Sequence, residues 1–297
     1  MRRLFWGGVL VGSVYWLVRY FRPQHSTLVL NDKVVIITGA SSGIGRSLAF
    51  AFARRGARVV LVGRNIERLE AVRREIEPYT GDVLVIPADI CDEAQVQALV
   101  NRTLDTFGRV DVLVNNAGIS SGGRLQDQNP QRIEQLLRVN LWSAIRLTQL
   151  VLPHMLAQSS GYIMNVGSDL ARVACPLFAP YVASKYGLAG FTDAMRRELD
   201  GTGIHLTLVL PGWTHTNMVP VEIKDTVERY GYNIEYPDEV AERAVLGLVH
   251  GDNEVILGGL LAWLGVLTER YAPFLIRLYW RLAMTQEWTA CISRIGR

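Results

Sequence analysis

Apolar positions follow two alternating rhythms along the chain. Short, nearly continuous apolar runs at 33–38 (K-V-V-I-I-T), 58–62 (R-V-V-L-V), Val83–Pro87, 110–114, 162–166 and Ile204–Leu210 read as strands covered on both faces. Between them lie stretches with apolar residues at helical spacing. The first holds Leu48, Ala49, Phe52 and Ala53 and stops at Gly56; others cover 93–106 and 131–158, one carries Tyr181 and Lys185, and one opens at Pro237. Strand and helix in strict alternation predict βαβ units, and therefore a doubly wound parallel α/β sheet of the Rossmann type with helices on both faces. The 297 residues suit one such domain, with no internal repeat.

The ends break the rhythm. Residues 4–18 carry no charge, contain Trp6, Tyr15 and Trp16, and are bordered by Arg2, Arg3, Arg19 and Arg22. Aromatic residues with basic flanks suit a membrane interface, although fifteen residues fall short of the roughly 20 that a helical span needs. Residues 1–25 are therefore expected to form a retained anchor or immersed helix. The other readings are a cleaved signal, disfavoured because no small-x-small site follows, and a helix packed on protein. At the other end, residues 259–297 mix apolar and basic positions, from Trp263 and Leu267 to Arg277 and Arg281. They read as an interfacial helix, or as a helix covering the sheet or a dimer contact. The chain's overall +3 hides this arrangement: both termini are basic and the middle is acidic. Basic charge flanking apolar sequence points to a membrane surface and away from nucleic acid.

Chemistry enters at the ends of the predicted strands. The 33–38 strand runs into Gly39-Ala40-Ser41-Ser42-Gly43-Ile44-Gly45 and then directly into a helix. Strand, glycine turn and helix start form a phosphate site, because absent side chains let the backbone approach a pyrophosphate and the helix N-terminus offers free N–H groups. The second strand ends at Gly63-Arg64-Asn65, where an acid would accept from a ribose 2′-hydroxyl. No acid stands there, and Arg64 presents a cationic fork to a 2′-phosphate, so NADP(H) is expected in preference to NAD(H). Downstream, Y-V-A-S-K sets Tyr181 and Lys185 on one helix face. A fixed cation favours a phenolate and would bring the tyrosine toward the range of an acid–base catalyst. Cys91, Cys175, Cys291 and the scattered histidines have no ligand spacing, so no metal site is expected.

Taken in order, these motifs resemble those of the short-chain dehydrogenase/reductase family, from about residue 33 to about residue 258. T-G-A-S-S-G-I-G, from Thr38 to Gly45, matches the family's cofactor loop, and Asp89-Ile90 matches its adenine contact. N-N-A-G, with Asn116, Ala117 and Gly118, resembles the segment on the nicotinamide side. Asn140, Ser168, Tyr181 and Lys185 match the catalytic tetrad, and P-G-W-T-H-T, with Pro211, Gly212, Thr214 and Thr216, looks like the family's second cofactor loop. The resemblance implies a hydride transfer between a nicotinamide and a carbonyl or secondary alcohol. Tyr181 would be the proton donor and Ser168 would fix the carbonyl. Lys185 would tune the tyrosine and hold the nicotinamide ribose, while Asn140 supports a water-linked proton path. Dimers or tetramers are also common in the family.

Residues 213–236, with Met218, Val219, Val221, Tyr230, Tyr232 and Tyr236, are expected to form a partly apolar lid. With membrane-facing ends, that lid suggests a lipid, steroid, retinoid or long-chain substrate, and a membrane-associated enzyme whose catalytic domain faces the cytoplasm. Two other readings remain at this stage: a 3-oxoacyl reductase acting on a carrier-bound substrate, and a non-catalytic dinucleotide sensor or membrane scaffold.

Overall fold

The computed structural model describes residues 28–219, 221–229 and 231–295, so the expected N-terminal anchor lies outside the described residues. Seven strands build one parallel sheet: β1 (Val34–Thr38), β2 (Arg58–Gly63), β3 (Val83–Pro87), β4 (Val112–Asn115), β5 (Gly161–Val166), β6 (Ile204–Leu210) and β7 (Glu254–Ile256). Their order is β3-β2-β1-β4-β5-β6-β7, and the chain reverses its direction of winding between β1 and β4. Connections of one hand on each side of that point carry helices to both faces, which opens a crevice beyond the strand ends.

The helices are α1 (Gly43–Ala53), α2 (Ile66–Ile76), α3 (Glu93–Phe107), α4 (Pro130–Leu137), α5 (Ser143–Ala157), α6 (Ala179–Glu198), α7 (Val221–Arg229) and α8 (Pro237–Val249). Three more follow the sheet: α9 (Gly259–Tyr271), α10 (Pro273–Ala283) and α11 (Gln286–Ile292). One core lies where α1, α2 and α8 press Leu48, Phe52, Leu69, Val72, Ala241 and Val245 onto alternate residues of β1 and β2. A second lies on the opposite face, where Leu99 and Val100 of α3 and Leu147 and Val151 of α5 meet Val34, Ile36, Val60 and Leu113. Each fully buried side chain of this size contributes about 1.5–3 kcal/mol of hydrophobic stabilisation, which explains why the strands read as unbroken apolar runs.

The structure departs from the sequence expectations in four places. Helix α2 was not foreseen; it is capped by Asn65, whose side chain accepts from Arg68 N at 2.8 Å, and it buries only Leu69, Val72 and Ile76. Strand β4 runs from Val112 to Asn115, later than expected, and just before it the Asp111 carboxylate accepts from Val34 N at 2.9 Å. The single helix expected over 131–158 is three segments: α4, a π-helical turn at Arg138–Trp142, and α5. Apolar spacing does not distinguish i→i+4 from one turn of i→i+5, and a π turn in a helix frequently marks a functional position. Last, the 213–236 segment is more than a loop, since it contains α7 and its two ends pair through a Thr214–Glu235 bridge.

The C-terminal helices are fastened to this segment. Trp288, Cys291 and Ile292 of α11 are buried against Ile223, Val227 and Ile234. Arg229 pairs with Glu287 at 2.7 Å, and the Tyr232 and Tyr279 hydroxyls are 2.8 Å apart. Trp288 is the largest fully buried side chain among the described residues. Trp288→Ala should therefore lower unfolding free energy by about 3–5 kcal/mol in a denaturant titration, as expected for a truncated buried aromatic; a loss under about 1 kcal/mol would mean that α11 is not anchored there.

Candidate active site

The site lies where β1 and β4 part. Thr38, at the end of β1, donates its hydroxyl to Val114 O at 3.2 Å and accepts from Asn116 N and Ala117 N, both at 3.0 Å. The Asn116 amide returns a bond to Thr38 O at 2.8 Å. These contacts hold the N-N-A-G segment beside the glycine turn, so Thr38 acts as a brace behind the cleft.

The turn itself needs glycine for two reasons. Gly39 and Gly43 have φ of +66° and +53°, in the left-handed region that suits glycine. A Cβ on Gly45 would collide with the Gly39 carbonyl and the Asn116 amide. Ser42 caps α1 in extended conformation without a side-chain bond, which leaves first-turn amides directed to the cleft. That cradle fits the pyrophosphate of a dinucleotide. Gly39, Ser41, Ser42, Gly43, Ile44, Gly45, Arg64, Asp89, Ile90, Asn116, Ala117 and Gly118 all line the same cavity of about 1360 Å³. On its far side the cavity is lined by Ser168, Tyr181, Lys185, Pro211, Gly212, Thr214 and Thr216. Of the predicted site residues, only Thr38 and Asn140 stand behind the wall.

Asn140 is buried in the π turn. Its Oδ1 accepts from Ile119 N at 2.8 Å, and its Nδ2 donates to Ile119 O at 2.9 Å and to Ser184 Oγ at 3.1 Å. The extra residue in the turn thus directs Asn140 at the backbone just after N-N-A-G, and ties α6 to it through Ser184. Lys185 is buried on α6 and donates to Val166 O at 2.9 Å. Its Nζ lies 5.7 Å from the centre of the Tyr181 ring.

Charge is expensive here, and burial decides the protonation states. Burial lowers the Lys185 pKa to about 8. Burial pushes the Tyr181 phenol well above its ordinary value, while its hydrogen bond with Ser168 pulls the other way. The expected depression of Tyr181 by Lys185 is thus not what this geometry gives. The ammonium donates to the Val166 carbonyl and lies over the ring face rather than against the hydroxyl, and desolvation dominates. The phenol is consequently held protonated, as a proton donor requires.

Among the polar groups missed by sequence reasoning, Asp169 stands nearest the candidate serine. Asp169, directly after Ser168, lines the cavity and accepts from Ser168 Oγ at 2.9 Å and from Leu170 N at 2.8 Å. Burial raises its pKa to about 6, against the two hydrogen bonds and with a small push from Glu235. The available signal was an acid directly after the candidate serine, just past the end of the predicted 162–166 strand. Val173, Cys175, Phe178, Trp213 and Leu264 also line this part of the cavity and make it apolar.

The fold is a Rossmann-like α/β sheet whose crevice gathers the glycine turn, Ser168, Tyr181 and Lys185 around one cavity. The profile of the short chain dehydrogenase family matches residues 33–226, and the chain belongs to that family. It is 33% identical over 223 residues to a protein of Mus musculus named dehydrogenase/reductase SDR family member 7B, covering 74% of this chain and 69% of that one. It is 35% identical over 228 residues to the ketoacyl reductase HetN of Nostoc sp., covering 77% and 79% respectively. A Drosophila melanogaster protein named dehydrogenase/reductase SDR family protein 7-like is 30% identical over 273 residues, covering 89% and 83%. The chain is therefore a dehydrogenase/reductase of a family that uses NAD(P)(H).

The Asp169 environment has a consequence for stability. Its folded pKa, about 6, exceeds the ordinary carboxyl value of 3.8, so between these values the folded state holds a proton that the unfolded state has lost. The contribution of this group is fully present below pH 4 and is lost as pH rises through 6. Compared with Asp169→Asn, the unmodified protein should lose unfolding free energy between pH 4 and 6, with the difference constant above that window. A difference independent of pH would contradict the assignment.

Proposed function

We propose that the protein is a membrane-associated, NADP(H)-linked oxidoreductase that reduces the carbonyl of an apolar, lipid-like substrate or oxidises the corresponding secondary alcohol. The observation that carries this reading is the position of Ser168 and Tyr181. Both are buried where the glycine cradle meets an apolar cavity. A carbonyl seated there would meet the Tyr181 hydroxyl and, in exchange for Asp169, the Ser168 hydroxyl, with little water.

Five features of this chain divide the work. The glycine turn and the α1 N-terminus bind phosphate, Ser168 orients the carbonyl oxygen, and Tyr181 Oη gives that oxygen its proton. Asn140 keeps the wall of the cleft in place. Hydrogen-bond donors aimed at developing negative charge in a water-poor site are a large source of rate enhancement. When bound, the nicotinamide supplies the hydride to the carbonyl carbon. Lys185 lies behind Tyr181 with a pKa near neutrality, so it can accept or return a proton as the phenol is reloaded. The NADP(H) preference rests on the end of β2, where Arg64 is exposed and lines the crevice, with no acid in Gly63-Arg64-Asn65. Asn65 is occupied in capping α2.

The similarity to HetN supports a second reading, an oxoacyl group as the substrate, for which the same donors would serve. Free apolar ketones and carrier-bound oxoacyl groups offered in parallel would separate the two. Tyr181→Phe should retain cofactor binding and lose turnover by roughly three orders of magnitude or more, since only the proton donor is removed; near-normal turnover would refute the mechanism. Arg64→Ala should weaken NADPH binding by about tenfold or more while leaving NADH binding nearly unchanged, as read by fluorescence titration. Equal losses for the two cofactors would overturn the preference.

A further inference from the structure

Helices α9 and α10 are rich in large apolar residues, yet α9 buries none of its residues and α10 buries only Ala283. Leu260, Tyr271 and Leu282 are 71%, 75% and 76% exposed, and Trp263, Phe274 and Leu278 are exposed with them. Singly exposed apolar residues are ordinary, but a contiguous group of this size marks an interaction surface. Arg270, Arg277 and Arg281 stand among these residues, exposed; α10 contains no acid and α9 only Glu269, so the two helices carry a net positive charge. Other residues of the same two helices, including Leu264 and Ile276, line the substrate cavity. Apolar surface thus continues from the outer face into the site.

We propose that α9 and α10 form a docking face for an anionic lipid bilayer, and that the cavity opens onto the bilayer there, so that substrate enters from the acyl region. The second half rests on the apolar-substrate reading above. An apolar face set with arginines and with Trp263 and Tyr271 matches the boundary between acyl chains and anionic headgroups. At 13 and 11 residues the two helices lie far below the roughly 20 needed to cross a membrane, so they lie in the interface. Charge argues against the other occupants. A twofold pairing with a second copy would bring these arginines against themselves, and residues 1–22 carry four arginines and no acid, so they would meet the face with like charge.

The test uses the full chain and the triple variant Leu260→Glu/Leu278→Glu/Leu282→Glu, whose substituted positions are exposed and outside the cavity wall. Hydrogen exchange is followed with phosphatidylcholine vesicles, with and without phosphatidylglycerol. Turnover is followed for a long-chain ketone dissolved in the vesicles and for a short water-soluble ketone. Anionic vesicles should slow exchange at 259–284, and the variant should lose that protection. The variant should also lose roughly tenfold or more of its turnover of the vesicle-dissolved ketone while keeping that of the soluble one. Absence of protection, equal loss for both ketones, or protection that grows with protein concentration without lipid would overturn the proposal, the last assigning the face to a second copy. Protection with neither ketone reduced by the unmodified chain would support the docking face and count against the reductase reading alone.

Discussion

The side chain of Thr38 holds together the point on which the site depends. A parallel sheet wound in both directions separates its strand connections between β1 and β4, and nothing in the ladder fixes the two chain segments that leave there. Thr38 supplies that link, with three hydrogen bonds across to Val114, Asn116 and Ala117. The Asn116 amide adds a bond back to Thr38 O, and the close approach of the glycine turn to N-N-A-G requires that Gly45 lack a Cβ. The proposed phosphate cradle on one side and the proposed carbonyl site on the other both flank that one crossing.

A second constraint comes from burial. The candidate catalytic groups are enclosed, which separates the site from water and moves each ionisable group toward its neutral form. Tyr181 is kept protonated, Lys185 is brought to a pKa of about 8, and Asp169 is raised to about 6. The proposed reductive role of Tyr181 is consistent with a phenol that stays protonated. Asp169 introduces a tension, since an ionised carboxylate accepting from Ser168 competes with a substrate carbonyl for the same hydroxyl.

Much of this was legible in the sequence. Strands buried on both faces read as continuous apolar runs, and the glycine turn and the Tyr181–Lys185 spacing each express one geometric requirement. What was illegible depends on contacts distant in the chain. The π turn at Arg138–Trp142 carries Asn140, which bonds Ile119, and helical periodicity carries no trace of it. The influence of Lys185 on Tyr181 was read from charge alone, whereas the folded environment is governed by desolvation. Asp169 was passed over because a single acid beside a strand end is ordinary until a cavity surrounds it. Composition registered the apolar and basic C-terminal segment, but the outward exposure of α9 and α10 appears only in three dimensions.

The central claim is a hydride transfer to an apolar carbonyl seated between Ser168, Tyr181 and the glycine cradle. It is tested most directly by incubating the protein with NADPH deuterated at the transferable ring carbon and a panel of apolar ketones, and analysing the alcohols by mass spectrometry. The account predicts one deuterium on the carbinol carbon of at least one product, absent when Tyr181 is replaced by Phe. Oxidation of the cofactor without label in any alcohol, or labelled product formed equally well by the phenylalanine variant, would contradict it.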